Sequence, residues 1–255
     1  MYNASIDAEP PGSHVMNQGL QPPNAPKSRE VGPARPASDG RLLPATRQGD
    51  RKVANASTGH CTVYAVLGQG PGVRFEAESH IEFCHLLRLS VAPGVLHLQE
   101  QVLFRFGAGE EDKHFFDMIA TMTSGARIAY TVKPEVELRS HDFLSHMAVV
   151  ARHVRVKGFA SEVRLLTEAD LDPVDLHNAK VLAALRDADP EADAAARACI
   201  SGLIGALPLF ELARLIGLEA RGHRALLRLL RSGELRLARR ERISPTSLVH
   251  KELLQ

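Results

Sequence analysis

In the middle of the chain, hydrophobic residues follow two patterns, one typical of amphipathic helices and one typical of strands. Two stretches place apolar residues three and four positions apart, at 76–90 and 140–156, which predicts amphipathic helices. Ser140 would cap the second of them. Five shorter runs are rich in β-branched, aromatic and other apolar residues and predict strands at 62–67, 95–106, 114–122, 127–133 and 163–167. After the first run, the order helix, three strands, helix, strand predicts a mixed α/β core with a β-meander.

The pattern changes after Pro173, where helical periodicity dominates. The predicted helices cover 174–187, 190–207, 208–218 and 220–230. Two short alternating runs follow within 232–249, so this part has the pattern of a winged helix-turn-helix. We therefore place a boundary near residues 172–173, between an α/β domain at 56–172 and a helical, winged-helix-like domain at 173–255.

Residues 1–55 differ in composition from the rest of the chain. Eight of the 15 prolines lie here, among Ser, Asn, Gly and Arg. Such a segment has too little apolar surface to offset the entropy lost on ordering, so we predict a disordered N-terminal tail. Composition leaves two roles open, a passive tail or a tether that binds a partner.

Overall composition narrows the function classes. The 31 Lys and Arg are balanced by 30 Asp and Glu, which excludes a uniformly basic nucleic-acid coat. Three widely spaced cysteines argue against a disulfide framework or a Cys-ligated zinc site, and they predict reduced thiols. Membrane-spanning, secretory and nucleotide-binding motifs are missing from the sequence. We expect a cytoplasmic protein with no membrane association and no nucleotide of its own.

Three charged residues lie within or at the end of apolar segments. Glu82 is in the first predicted helix, Asp117 is inside a strand, and Lys133 ends the next strand. Because a buried charge is costly unless it is paired or binds a metal, each residue requires a partner. The two carboxylates could hold Mg²⁺ while the lysine orients an attacking water. Alternatively, Asp117 and Lys133 form a structural ion pair and Glu82 lies on the solvated face of its helix.

Four segments in series resemble TnsA, the endonuclease subunit of heteromeric transposases, at 79–87, 98–104, 114–119 and 130–138. The resemblance covers about residues 74–170 and, more loosely, the C-terminal part. It implies a restriction-endonuclease-like mixed sheet flanked by helices. It also implies that Glu82 is the helix carboxylate, Asp117 the central strand aspartate and Lys133 the catalytic lysine. Glu100 and Gln101 match a pair with an architectural role.

One position departs from the TnsA pattern. Two residues before the lysine the family carries Gln or Glu as a metal ligand, whereas this chain has Thr131. A threonine hydroxyl is a poorer ligand for a hard divalent cation. The backbone carbonyl of Val132, water or Glu135 could complete the coordination of the metal. The ligand set is thus predicted to be weakened but retained.

The resemblance also implies a cofactor and partners. The cofactor would be Mg²⁺ or Mn²⁺, and the substrate would be DNA at transposon ends. A DDE transposase subunit and an ATPase regulator would be the protein partners, the regulator through the C-terminal domain. Two other classes stay open: a catalytically degenerate adaptor that binds DNA or protein, and a winged-helix transcription regulator.

Arginines are concentrated in the last predicted helix and the runs after it. Residues 221–255 contain nine Lys and Arg against three Glu. Four arginines recur at spacings of three and four along the helix, which is a pattern suited to phosphate contacts. An acidic protein partner would suit the same surface. The candidate DNA-binding residues are Arg221, Arg224, Arg228, Arg231, Arg239, Arg240 and Arg242.

Overall fold

The computed structural model describes residues 34–46, 49–51, 53 and 61–252. The strands in these residues are β1 (Arg35–Pro36), β2 (Leu42–Leu43), β3 (Val63–Leu67), β4 (Val73–Ala77), β5 (Val95–Phe106), β6 (Asp112–Met122), β7 (Arg127–Val132), β8 (Glu162–Leu166), β9 (Ala206–Pro208), β10 (Leu235–Leu237) and β11 (Leu248–Lys251). The α-helices are α1 (His80–Ser90), α2 (His141–Val156), α3 (Pro173–Ala183), α4 (Pro190–Ser201), α5 (Leu209–Ile216) and α6 (Glu219–Ser232). Short 3₁₀ helices cover Glu135–Arg139 and Glu168–Asp170.

A four-stranded mixed sheet forms the centre of the first part of the chain. Its order is β5-β6-β7-β8; the first two pairings are antiparallel, and the β7–β8 pairing is parallel. A parallel neighbour requires a crossover, which α2 provides. One face of the sheet packs with α1, α3 and the β3–β4 hairpin, and the other packs with α2. The mixed α/β architecture expected from the sequence is confirmed at this level.

The C-terminal residues form a second apolar cluster. Helices α4, α5 and α6 surround it, and strands β9, β10 and β11 form a small antiparallel sheet in the order β10-β11-β9. Leu209, Leu212 and Leu226 are almost completely buried there. Helix α3 contributes to both parts, because Ala179 and Ala183 pack in the cluster that contains α1, whereas Val181 and Leu182 pack against the C-terminal cluster.

Part of the predicted disordered tail is ordered. Strands β1 and β2 form a hairpin, and Ala45 bridges β4 through hydrogen bonds with Gly72 and Arg74. Val53 is buried as well. Composition alone does not predict the hairpin, whose strands are two residues each, or the Ala45 bridge, which is made with a strand later in the chain. The prediction for residues 1–33 falls outside the described residues.

Most predicted elements are present, and the differences have local causes. The first helix begins at His80 and not at residue 76, because Ser79 is its N-cap and residues 73–77 pair with β3. The helix predicted for 190–207 ends at Ser201, and the residues before Pro208 form β9. The predicted loop at 107–113 is shorter because β6 begins at Asp112. Among the residues that the structure describes, none of the helices is both long and apolar enough to cross a membrane.

Candidate functional site

Glu82 is fixed at the start of α1 by the helix cap. The Ser79 hydroxyl accepts a hydrogen bond from the Glu82 backbone N–H at 3.1 Å. In return, the Glu82 carboxylate accepts from the Ser79 hydroxyl at 3.1 Å and from the Glu78 backbone N–H at 3.0 Å. This exchange resembles a capping box, and it holds the carboxylate at the helix N-terminus. Burial, followed by the neighbouring Glu78 carboxylate, nevertheless raises the pKa of Glu82.

Asp117 lies where the central sheet changes direction. Along β6, Phe116 packs on the α2 face whereas Met118 packs on the α1 face, although alternation would put both side chains on one face. Gln101 lies opposite on β5 and has a left-handed backbone, with φ of 50°. The pairing of β6 with β7 ends at Met118 and Tyr130. Asp117 is therefore at the point where the sheet opens.

Beyond Tyr130, where β7 no longer pairs with β6, the Asp117 carboxylate takes the place of a backbone acceptor for β7. Its Oδ2 accepts a hydrogen bond from the Val132 N–H at 2.7 Å, and Oδ1 accepts one from the Gln101 side-chain amide at 3.5 Å. Because the N–H and C=O of a strand residue point to the same side, the Val132 carbonyl is directed towards this carboxylate. The geometry brings together the aspartate and the backbone carbonyl that the sequence analysis named.

Lys133 reaches the same region but forms its ion pair elsewhere. Its Nζ lies 3.3 Å from Glu137, one helical turn further along the chain. Glu82, Val132 and Lys133 line one cleft of about 320 Å³, together with Ser79 and Glu137. The structural Asp117–Lys133 ion pair considered above is absent from the described residues. Glu135, the other candidate ligand, lies outside the lining of the cleft.

Charged residues that line this cleft act on Asp117, which is not itself part of the lining. Burial, followed by the nearby Glu82 carboxylate, raises the pKa of Asp117 to about 7, even though Lys133 and Arg51 act in the opposite direction. A raised pKa in a carboxylate beside another carboxylate is typical of sites that bind a proton or a cation. Glu82 and Lys133 thus both act electrostatically on Asp117.

Arg51 is the functional candidate that the sequence analysis missed. Its Nε donates to the Gln101 side chain at 2.6 Å, its Nη2 pairs with Glu78 at 2.5 Å, and its guanidinium lies 5.0 Å from the centre of the Phe115 ring. The neighbouring Asp50 holds this segment against β5 through backbone and side-chain hydrogen bonds. Arg51 was hidden inside the segment predicted to be disordered, and no motif in the sequence marks it.

Thr131 points to the other side of the sheet. Its side-chain oxygen is hydrogen-bonded to His114 Nε2 at 3.0 Å, and the residue is only 2% exposed. The His114 ring contacts Phe116 and lies 5.8 Å from the His146 ring of α2. Burial and the nearby His146 lower the pKa of His114 to about 4. The hydroxyl expected to be a weak ligand is therefore engaged by a neutral imidazole on the α2 face.

The oxygen donors of this region are of the kind that a hard divalent cation prefers, but they are few. Within the described residues, no group of three or more His, Cys, Asp or Glu side chains is arranged to hold a metal. The available donors are two carboxylates, Glu82 and Asp117, and the Val132 carbonyl. Mg²⁺ commonly binds through one or two carboxylates and keeps several waters, so such a set is compatible with it.

Most of the predicted DNA-binding arginines have partners within the chain. Arg221 pairs with Asp189 and Glu191, and Arg228 pairs with Asp193. Further along, Arg239 pairs with Glu241, and Arg240 pairs with Asp172 and Asp175.

The other three candidate arginines differ from one another. Arg231 donates to the Leu185 carbonyl at 2.9 Å. Arg224 and Arg242 are exposed, and within the described part of the chain neither forms an ion pair. Two of the four arginines on α6, Arg221 and Arg228, are therefore directed at the start of α4, and the four do not form a continuous free surface.

Comparison with known proteins adds no identification. The chain matches no family model, and no curated protein matches it.

Proposed function

We propose that this chain is a divalent-metal-dependent DNA endonuclease that resembles TnsA. It would cleave strands at transposon ends together with a DDE transposase and an ATPase regulator. The observation that carries the proposal is that three residues far apart in sequence lie close enough to interact: besides burial, Glu82 raises and Lys133 lowers the pKa of Asp117 at the opening of the sheet.

The architecture supports the finer fold assignment in this proposal. A mixed sheet with helices on both faces, opening where a strand aspartate lies, is compatible with a restriction-endonuclease-like core. In the C-terminal part, the order α4-β9-α5-α6-β10-β11, with β9 paired to β11, is compatible with a winged helix.

Each side chain has a role that follows from its contacts. Glu82 and Asp117 would supply carboxylate oxygens, held in place by Ser79 and by the Val132 N–H. A bound Mg²⁺ or Mn²⁺ would supply positive charge for the phosphodiester and lower the pKa of a bound water. Lys133, which is partly exposed and lines the cleft, would position the attacking water and stabilise negative charge on the phosphate.

A DNA-cleavage assay tests this function directly. The purified chain and its transposase partner would be incubated with transposon-end DNA in Mg²⁺ or Mn²⁺. We expect Asp117→Asn and Glu82→Gln each to lower the cleavage rate at least about 100-fold. The matched control is Asp112→Asn, an exposed aspartate at the start of the same strand, which should cleave like the wild type.

A catalytically degenerate adaptor is the second candidate, and one observation favours it. The Thr131 hydroxyl is engaged by His114, so the site has fewer side-chain oxygens than the TnsA pattern. Cleavage by the wild type that persists in Asp117→Asn would remove this site from the mechanism. Failure of the wild type to cleave with either metal, while it still binds transposase or DNA, would establish the adaptor.

A further inference from the structure

A second cleft lies between the sheet and the C-terminal helices. Its volume is about 780 Å³, which is within the range of small-ligand sites. One wall consists of the glycine-rich turn at 68–70, the end of α1 and the start of β5, including Leu96. The opposite wall consists of the α3–α4 connection and residues of α4 and α6. None of the residues assigned to the carboxylate cleft lines it.

Arginines dominate the lining of this second cleft. Four of them line it, against a single acidic residue, Asp193; they are Arg186, Arg197, Arg228 and Arg231. Like charges gathered around a concave surface raise the local potential and attract ions of opposite sign. The lining therefore favours an anionic ligand.

Two of the four arginines keep their charge uncompensated. Arg228 pairs with Asp193, and Arg197 pairs with Glu234, which neutralises both. Arg186 donates only to the carbonyls of the glycine-rich turn, Gly70 at 2.9 Å and Pro71 at 2.6 Å. Arg231 donates to the carbonyls of the α3–α4 connection. In the described ranges no carboxylate lies within 4.0 Å of Arg186 or Arg231.

Carbonyl partners satisfy hydrogen bonds but carry no net charge. Both guanidiniums are therefore partly desolvated cations without a counter-ion, and burial lowers the pKa of Arg231. The Nε of Arg186 is buried and has no hydrogen-bond partner among the described residues. Such unsatisfied donors are rare in folded proteins and call for an explanation. An anion beside the guanidinium would neutralise its charge, although the buried Nε itself is not open to the cleft.

We propose that this cleft binds the phosphate group of a phosphate ester, with Arg186 and Arg231 as its charged ligands. A phosphate fits better than a carboxylate, because its several oxygens and up to two negative charges match two guanidinium forks. The proposal does not rest on the nuclease function, because it concerns different residues and requires no metal. A free nucleotide presents this group as a monoester or at the end of a polyphosphate chain, whereas a nucleic-acid backbone presents it as a diester with one negative charge.

Titration calorimetry with the full-length chain in metal-free buffer tests the proposal. The probes are sodium tripolyphosphate and a short DNA duplex. We expect Arg186→Gln and Arg231→Gln each to weaken binding about 10-fold or more, which corresponds to the loss of one charge-assisted contact. Arg152→Gln, on the exposed face of α2, removes the same charge elsewhere and should change binding little.

A second variant avoids disturbing the carbonyl contacts of the arginines. Leu96 lines the cleft and is 71% exposed, so Leu96→Glu adds a carboxylate there without removing any arginine. Leu144→Glu makes the same exchange on α2, where the side chain is 44% exposed. We expect Leu96→Glu to weaken binding about 10-fold and Leu144→Glu to leave it close to the wild-type value.

The outcomes separate the two sources of phosphate and the two proposals of function. Tripolyphosphate binding that is sensitive to Leu96→Glu supports a free phosphorylated ligand, and sensitivity seen only with the duplex supports a nucleic-acid backbone. No binding of either probe, or equal losses in Leu96→Glu and Leu144→Glu, overturns the inference. The cleavage assay on Asp117→Asn tests the nuclease proposal separately, because Asp117 does not line this cleft.

Discussion

The carboxylate cleft beside the sheet and the α4–α6 interface both concentrate charge, yet they compensate it differently. At the helix interface, Arg221 and Arg228 contact the acidic residues at the start of α4 within 2.6–2.8 Å. Beside the sheet, no cationic side chain lies within 4.0 Å of Glu82 or Asp117 among the described residues. The pKa shifts have opposite signs as a result: Arg221 lowers the pKa of Asp189, whereas burial and Glu82 raise the pKa of Asp117.

This contrast distinguishes charges that stabilise the fold from charges that can bind a ligand. Charges that are paired inside the chain largely cancel each other's field and hold two helices together. Like charges that share a cleft keep a field that a cation or proton can neutralise, and such arrangements cluster at functional sites. By this criterion the paired arginines of α6 are mainly structural, and the carboxylates beside the sheet are the stronger functional candidate.

The largest effect on stability should come from breaking a pair at the helix interface. Arg228 and Asp193 are each only 14% exposed, so Arg228→Ala leaves a poorly solvated carboxylate without its partner. We expect a loss of about 2 kcal/mol in the free energy of unfolding, measured by urea denaturation. Arg224→Ala, an exposed arginine on the same helix, should cost less than about 0.5 kcal/mol.

A double variant tests whether the cost arises from the orphaned charge. Replacing both partners, in Arg228→Met with Asp193→Leu, should recover at least half of the lost stability, because no buried charge is left alone. Equal and small losses of stability in Arg228→Ala and Arg224→Ala would contradict the structural role of Arg228. Arg228 would then again be a candidate for phosphate contacts.

The sequence predicted the elements better than the partners of their charged residues. Strand β5 and helix α2 match their predicted ranges almost to the residue, because alternation and the Ser140 cap are local signals. The left-handed Gln101 and the change of face at Asp117 have no such signal, since both depend on pairing between strands. Periodicity alone would have placed Phe116 and Met118 on one face.

The candidate site was predicted in part for the same reason. Charged residues inside apolar runs marked Glu82, Asp117 and Lys133, because an apolar run is a local indicator of burial. The Arg51 contacts with Gln101 and Glu78 join segments 50 and 27 residues apart, and the direction of the Thr131 hydroxyl depends on a neighbouring strand. Spacing along one chain does not contain that information.

The pH dependence of stability should reveal the uncompensated carboxylates. The pKa of Asp117 is raised, so the folded state holds its proton more tightly than the unfolded state. The stabilisation this provides is complete below about pH 4 and is lost as the pH rises through about 7. Asparagine does not titrate, so Asp117→Asn avoids this loss of stability. Without metal, the free energy of unfolding of the variant relative to the wild type should rise by about 2 kcal/mol between pH 5 and pH 8.

Thermal unfolding in buffer with a chelator measures this difference. Asp112→Asn, the same exchange at an exposed position of the same strand, is the matched control. Saturating Mg²⁺ should raise the melting temperature of the wild type at pH 8 more than that of Asp117→Asn, because the metal binds the folded carboxylates. A difference in stability between Asp117→Asn and the wild type that does not change with pH would show that the charge of the Asp117 carboxylate is compensated.

The smallest expected effect concerns Thr131, whose hydroxyl lies on the α2 face of the sheet, away from the carboxylates. Thr131→Val keeps the shape of the side chain but leaves His114 Nε2 without its partner, so we expect a loss of about 1 kcal/mol in unfolding free energy. The imidazole is neutral well above its pKa of about 4, so this loss should be the same at pH 6 and pH 8. Mn²⁺ affinity, measured by calorimetry, should stay unchanged because the hydroxyl faces α2. A fall in affinity as large as that of Asp117→Asn would instead make Thr131 a metal ligand, and His114 would then be the group that orients it.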